Sequence, residues 1–267
     1  MGICFNQSQK ILPLIESSIK KGNSNIESFS KNLLSNLLSN YNKKNLIKYT
    51  IEKLSKKNIY YIRHAESEHN VLEKKYHSFK DYDKWNIHDP KLSPNGIEQT
   101  NNIKQKLKEN KIHFGSVFIS PLTRAMQTYE LISDEINDDA EIIVTDFARE
   151  INCNGLDKNK GKELSKLKQE NKNNKKLNFN FMTKEYWWND TGEKNDDESE
   201  DMDLFILRLQ LFILWITFRH DENILIISRG NVFVNMQDSY GIYNADMKLL
   251  EKKDLQERIL SLINDFE

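Results

Sequence analysis

Asn58-Ile59-Tyr60-Tyr61-Ile62-Arg63-His64-Ala65-Glu66-Ser67-Glu68-His69-Asn70 decides how this chain is read. Ile59 to Ile62 is a β-prone apolar run that gives way at once to a cation, an imidazole and short polar groups. The pattern recurs downstream, where Val117 to Ile119 runs into Ser120-Pro121-Leu122-Thr123-Arg124. Glu141 to Val144 and Asn223 to Ile227 complete a set of four strands. Helical segments at Gly96 to Asn110, Arg124 to Glu135 and Leu204 to Arg219 lie between them. Strands spaced by helices of this length predict parallel pairing with both sheet faces covered, hence an α/β three-layer sandwich with a mostly parallel sheet. Ligands of such sheets sit beyond the carboxyl ends of the strands, so the polar residues after each run carry the functional reading.

Composition narrows the remainder. The 267 residues hold 39 Lys+Arg against 40 Asp+Glu, a net charge of −1, which argues against a dedicated nucleic-acid binder. Two cysteines, Cys4 and Cys153, are too few and too far apart for a disulfide framework and point to a reducing compartment. Leu204 to Phe218, the longest apolar stretch, is interrupted by Arg208 and Gln210 and is too short to span a bilayer. No signal-peptide pattern opens the chain, so a cytoplasmic location is expected. Residues 1–57 are basic, with ten lysines and three glutamates, and read as a partly helical N-terminal extension. Leu33, Leu34, Leu37 and Leu38 mark one amphipathic helix, and Lys43 to Lys57 continues helical, both expected to pack on the main domain over 58–267. Residues 158–203 break the strand-helix alternation and read as an insertion. It begins rich in lysine and asparagine, passes through Tyr186-Trp187-Trp188 and ends acidic; the aromatic group is expected to be a packing anchor.

The residues after the first two strands suit an anion. A helix start aims backbone N–H groups at it, Arg63 and Arg124 supply planar forks for phosphate oxygens, and a neutral imidazole at His64 is a nucleophile toward phosphorus. In this pattern the chain resembles the histidine phosphatase superfamily, the phosphoglycerate mutase-like proteins, whose signature is an Arg-His-Gly/Ala-Glu run after the first core strand. Four further blocks follow in the family's order: Leu92 to Gln99, Ser120 to Thr128, Arg149-Glu150, and Ile226 to Asn231. The resemblance implies that His64 becomes a phosphohistidine and that Arg63, Asn70 and Arg124 bind the phosphoryl oxygens with Ser67 nearby. It implies Glu150 as general acid, with Asp157 in reserve, and neither a metal nor another cofactor. Gly96 is expected to be a turn glycine, and Ser120 and Thr128 helix-start and packing residues.

One position departs from the resemblance. Where the family carries a second histidine facing the nucleophile across the phosphate, this chain has Arg229. Of the six histidines only His220 lies near that block in sequence, at the end of the preceding helix, and it is a poor substitute. Arginine keeps the positive charge and the phosphate fork but fills more space and exchanges no proton. Two readings follow: a phosphomonoester hydrolase of altered or weak activity, or a pseudophosphatase that binds a phosphorylated small molecule or phosphoprotein without turnover. A mutase is disfavoured because Val71 to Asp89 lacks a substrate loop of that kind. Met1-Gly2-Ile3-Cys4 adds a lipidation reading, with myristoylation at Gly2 and palmitoylation at Cys4 backed by the basic extension, which would place the protein on the cytoplasmic face of a membrane.

Overall fold

A computed structural model describes residues 9–22, 25–76, 81–152, 157–189, 192–193, 200–237 and 241–266. Four strands form where the apolar runs lie: β1 (Asn58–Arg63), β2 (Ser116–Ile119), β3 (Glu141–Val144) and a strand at Asn223–Ser228, here β5. Two short strands join them at the sheet edges, β4 (Leu177–Asn178) and β6 (Met247–Leu249), giving the order β4-β3-β2-β5-β1-β6. All neighbours pair parallel except β6, which runs antiparallel to β1 with Tyr61 opposite Lys248.

Alternation along each strand feeds two cores. Ile59, Tyr61, Phe118, Ile143, Ile224 and Ile226 face one layer, while Ile62, Val117, Ile119, Ile142, Val144, Leu225 and Ile227 face the other. The second layer holds Ile103 and Leu107 of α6 (Pro94–Asn110), Met126 and Tyr129 of α7 (Thr123–Ile132), and Leu164 and Leu167 of α8 (Leu164–Glu170). Trp187 and Trp188 complete it: Trp187 is fully buried, donates its indole N–H to the Lys162 carbonyl at 2.8 Å and lies flush against Gly161. Both indoles are therefore packing anchors of this core.

The first layer is built around α9 (Met202–Phe218), whose buried residues lie on all its sides, Phe205, Phe212, Leu214 and Trp215 among them. Such a helix needs cover all round. It packs on α1 (Ile11–Lys21), α2 (Ile26–Asn40), α3 (Lys43–Leu54), α10 (Gly230–Met236) and α11 (Lys252–Asp265). Asn25 and Asn42 start α2 and α3 by accepting the amides of Ser28 and Asn45. Pro13 falls in the first turn of α1, where a missing N–H costs nothing. Arg219 ties α1 to the sheet, with one guanidinium nitrogen 2.8 Å from Glu16 and another 2.5 Å from Glu141. Among the described residues, no helix is long and apolar enough to cross a membrane.

Between β1 and α6 come α4 (Glu68–Tyr76) and α5 (Tyr82–Trp85); α6 and α7 lie in one layer and α10, which follows β5, in the other, so a crevice opens at the carboxyl ends of the three central strands β1, β2 and β5. Its floor is braced by α6, whose first turn abuts the loop after β1. Ser93 caps that turn at the Gly96 amide (3.0 Å), and a β-carbon at residue 96 would lie 1.9 Å from the Glu66 carbonyl oxygen. Gly96 is thus required by close approach rather than by a turn. Glu66 clamps the same junction through Ser93, Asn95 and Lys74.

Candidate functional site

Arg63 ends β1, and His64 lies just beyond it, its ring 1% exposed. Ring nitrogen Nδ1 lies 2.7 Å from the Ala65 carbonyl, an acceptor only, so Nδ1 carries the proton and Nε2 is bare. That Nε2 accepts from Nε of Arg124 at 3.2 Å. Arg124 is fully buried at the start of α7, where Asp89 caps the Thr123 amide from a left-handed backbone conformation (φ 37°). The Arg124 fork also donates to the Lys158 carbonyl (2.7 Å) and to Oδ1 of Asn159 (3.2 Å). Arg63 donates to the Ile242 carbonyl at 2.7 Å, and its buried Nε has no hydrogen-bond partner among the described residues.

Arg229 follows β5 and enters the same space. Its fork donates 2.6 Å to Oδ1 of Asn159 and 3.0 Å to Nε2 of His69, while its Nε lies 3.4 Å from Oε2 of Glu150. Glu150 is 1% exposed and accepts its neighbour's amide through Oε1. The adjacent Arg149 pairs with Glu200 at 2.9 Å, so the two residues of this block face different partners. Ser67 and Asn70 are buried and joined, the Asn70 Oδ1 accepting from the Ser67 amide and hydroxyl. The structure thus brings His64, Arg63, Arg124, Glu150, Arg229, Ser67 and Asn70 together. Asp157 pairs with Lys160 at 3.3 Å, whereas Glu150 holds the contact with Arg229. Gly2, Cys4 and Cys153 lie outside the described residues.

Three further residues belong to the site. His69 is the imidazole that reaches Arg229, a contact the sequence reading missed; His220, near that block only in sequence, is exposed. Its signal was its place in the same turn as Ser67 and Asn70. Asn159 and Lys158, which follow the Arg149-Glu150 block, had no sequence signal: Asn159 joins Arg124 to Arg229, and the Lys158 ammonium sits 4.7 Å over the Trp85 ring.

Crowded cations set the electrostatics. Burial, then the charge of Arg229, pushes the Arg124 guanidinium down to about 9, and the same two causes lower Arg63 and Lys158. His64 falls well below its ordinary 6.5 through burial first, then Arg124 and Arg229; His69 falls for burial and Arg229. Such a cluster suits a dianionic ligand. Arg63 and Arg229 also line an adjoining cleft of about 540 Å³ with Asn231, Val234, Tyr243 and Lys248.

Two histidines held neutral make the fold acid-sensitive. Below pH 6.5 the unfolded chain takes up two protons that the fold refuses, so stability falls as pH falls. Each contributes about 1.4 kcal/mol per pH unit, about 2.7 kcal/mol for the pair. Urea unfolding in phosphate-free buffer at pH 7, 6 and 5 measures this, and equal stability at the three values contradicts it.

Comparison with known proteins follows the same residues. The family model described as "Histidine phosphatase superfamily (branch 1)" matches residues 59–236. No curated protein matches the chain. Among solved structures, a candidate alpha-ribazole-5'-P phosphatase from Escherichia coli is 21% identical, with 73% of this chain and 90% of that one covered and a TM-score of 0.47. The ecdysone phosphate phosphatase from Bombix mori is 13% identical over 73% and 92%, TM-score 0.49. The phosphoserine phosphatase from Entamoeba histolytica is 18% identical over 74% and 99%, TM-score 0.40. The model match runs from the first residues of β1 through Arg63, His64, Arg124 and Glu150 to the end of α10, and by it the chain belongs to branch 1 of the histidine phosphatase superfamily.

Proposed function

We propose that the chain is a slow phosphomonoesterase that forms a phosphohistidine at Nε2 of His64. One observation carries this reading: a bare, neutral imidazole nitrogen faces into a buried ring of guanidinium groups. A phosphate dianion entering that ring takes donors from Arg63, Arg124 and Arg229, and draws the Arg124 N–H away from the lone pair it covers. Nε2 then attacks phosphorus in line, the P–O bond to the leaving group breaks with its electron pair on oxygen, and Glu150 supplies the proton. In the second half Glu150 takes a proton from water as the water oxygen attacks phosphorus; the P–N bond breaks, phosphate leaves and Nε2 regains its pair. Asn70 borders the phosphoryl group from the first turn after β1, and the 540 Å³ cleft gives the leaving group its room.

Slowness follows from Arg229. The Glu150 oxygen that would carry the leaving-group proton is the one Arg229 contacts, and a guanidinium has no proton to exchange in the place of an imidazole. Hydrolysis of an aryl phosphate by the purified chain, beside Arg229→His, tests this. Measurable turnover that rises by about 10- to 100-fold in the variant is expected. The same contact favours a second reading, a phosphate-binding pseudophosphatase. Orthophosphate binding with no turnover in either protein selects it.

A further inference from the structure

His69 has no part in the chemistry above, yet it is fully buried and both ring nitrogens are engaged across the pocket. Nε2 receives the Arg229 fork at 3.0 Å and lies 3.1 Å from the Asn70 side-chain nitrogen. Nδ1 lies 2.7 Å from the Ser67 hydroxyl, which passes the relay on to Asn70 Oδ1 at 2.9 Å. Arginine can only donate, so Nε2 is bare and Nδ1 protonated; Arg229 and Ser67 fix one tautomer from opposite sides. The contact also divides Arg229 among three partners, one terminal nitrogen being held by Oδ1 of Asn159 at 2.6 Å. Its Nε faces Glu150 while a terminal nitrogen is drawn toward the loop after β1.

We propose that His69 is a positioning residue that keeps a terminal nitrogen of Arg229 turned into the phosphoryl pocket, so that only Nε of the guanidinium rests near Glu150 and the whole fork does not close on that carboxylate; His69 and Arg229 thereby act as a pair in binding the phosphoryl group. This rests on the phosphate-pocket reading. The arginine brings the charge, and the imidazole gives it direction. Without His69 the fork settles on Glu150, and one phosphate ligand is lost.

Orthophosphate affinity of the full chain, measured by calorimetry at neutral pH and fixed ionic strength, tests the pair without requiring turnover. His69→Leu is expected to weaken binding about tenfold, while in an Arg229→Ala background the same change costs less than about twofold. His69→Gln, whose amide oxygen reaches the place of Nε2, is expected to restore affinity to within about threefold, and the shorter His69→Asn is expected not to. The Gln and Asn pair decides the matter if the leucine variant does not fold. Equal losses in both backgrounds, or no difference between the Gln and Asn variants, overturns the proposal. No orthophosphate binding by the unsubstituted chain overturns the pocket reading first and the pair with it.

Discussion

Replacing His64 with alanine is expected to lower aryl phosphate hydrolysis by about 10³-fold or more while the fold persists. The bare Nε2 of this ring meets a single donor, Arg124 Nε, whereas the other bare imidazole nitrogen of the pocket, Nε2 of His69, is covered by both Arg229 and the Asn70 side-chain nitrogen. Its structural contribution is small, since its hydrogen bonds are to the neighbouring carbonyl and to Arg124, and the neutral ring is itself a burden below pH 6.5. Turnover is the first readout. The second is an acid-labile, alkali-stable phosphoryl group trapped on the unsubstituted chain and absent from the variant, the chemistry of a P–N bond. Undiminished turnover in His64→Ala places the reacting group elsewhere.

Glu200→Ala is expected to destabilise the fold by about 3–5 kcal/mol, the most damaging of the substitutions considered. Glu200 meets Arg208 through two parallel contacts of 2.8 Å and Arg149 at 2.9 Å, and all three side chains are at most 4% exposed. Burial alone would raise the Glu200 carboxyl, but Arg149 and then Arg208 outweigh it, and the group lies below its ordinary value. Removing it leaves two buried cations near one another where the chain turns toward Glu150. Arg208 additionally binds the carbonyls of Phe147 and Arg149, so the loss loosens the backbone that carries Glu150. Urea unfolding measures the change. The exposed pair Lys253–Glu257 is the contrast, where loss of the contact is expected to shift stability by less than about 1 kcal/mol. A Glu200→Ala loss of that smaller size contradicts the account.

The central strands were legible because each is a continuous apolar run covered on both faces, and the residues that follow them carry charge no core would accept unpaired. β4 escaped notice because two residues have no period, and β6 because Met247-Lys248-Leu249 is a half-exposed edge that looks like a loop. The site was legible where its residues follow strands in order. Its cross-contacts were not: Arg149 stands beside Glu150 in sequence but turns to Glu200, whereas His69 and Asn159, distant from Arg229 in the chain, meet it in space. Such pairings depend on side-chain direction across a crevice, which no periodicity encodes. Of the N-terminal helices α2 was readable as amphipathic and α3 as helical, but α1 was not, nor that α9 requires all three as cover.

That last feature bears on how the molecule comes into being at the ribosome. The helices that cover α9 are divided along the chain, α1 to α3 preceding the sheet and α11 following its last strand. Yet α9 is enclosed only when those early helices and residues 252–265 close on it together, with the Lys43 ammonium 2.8 Å from the Asn264 carbonyl. Until α11 has left the exit tunnel, a nascent chain carries Arg63, His64, Arg124 and Glu150 on an unfinished layer, with apolar surface open to other chains. Closure of this layer therefore waits for α11, and until then α9 is apolar surface that a chaperone can hold.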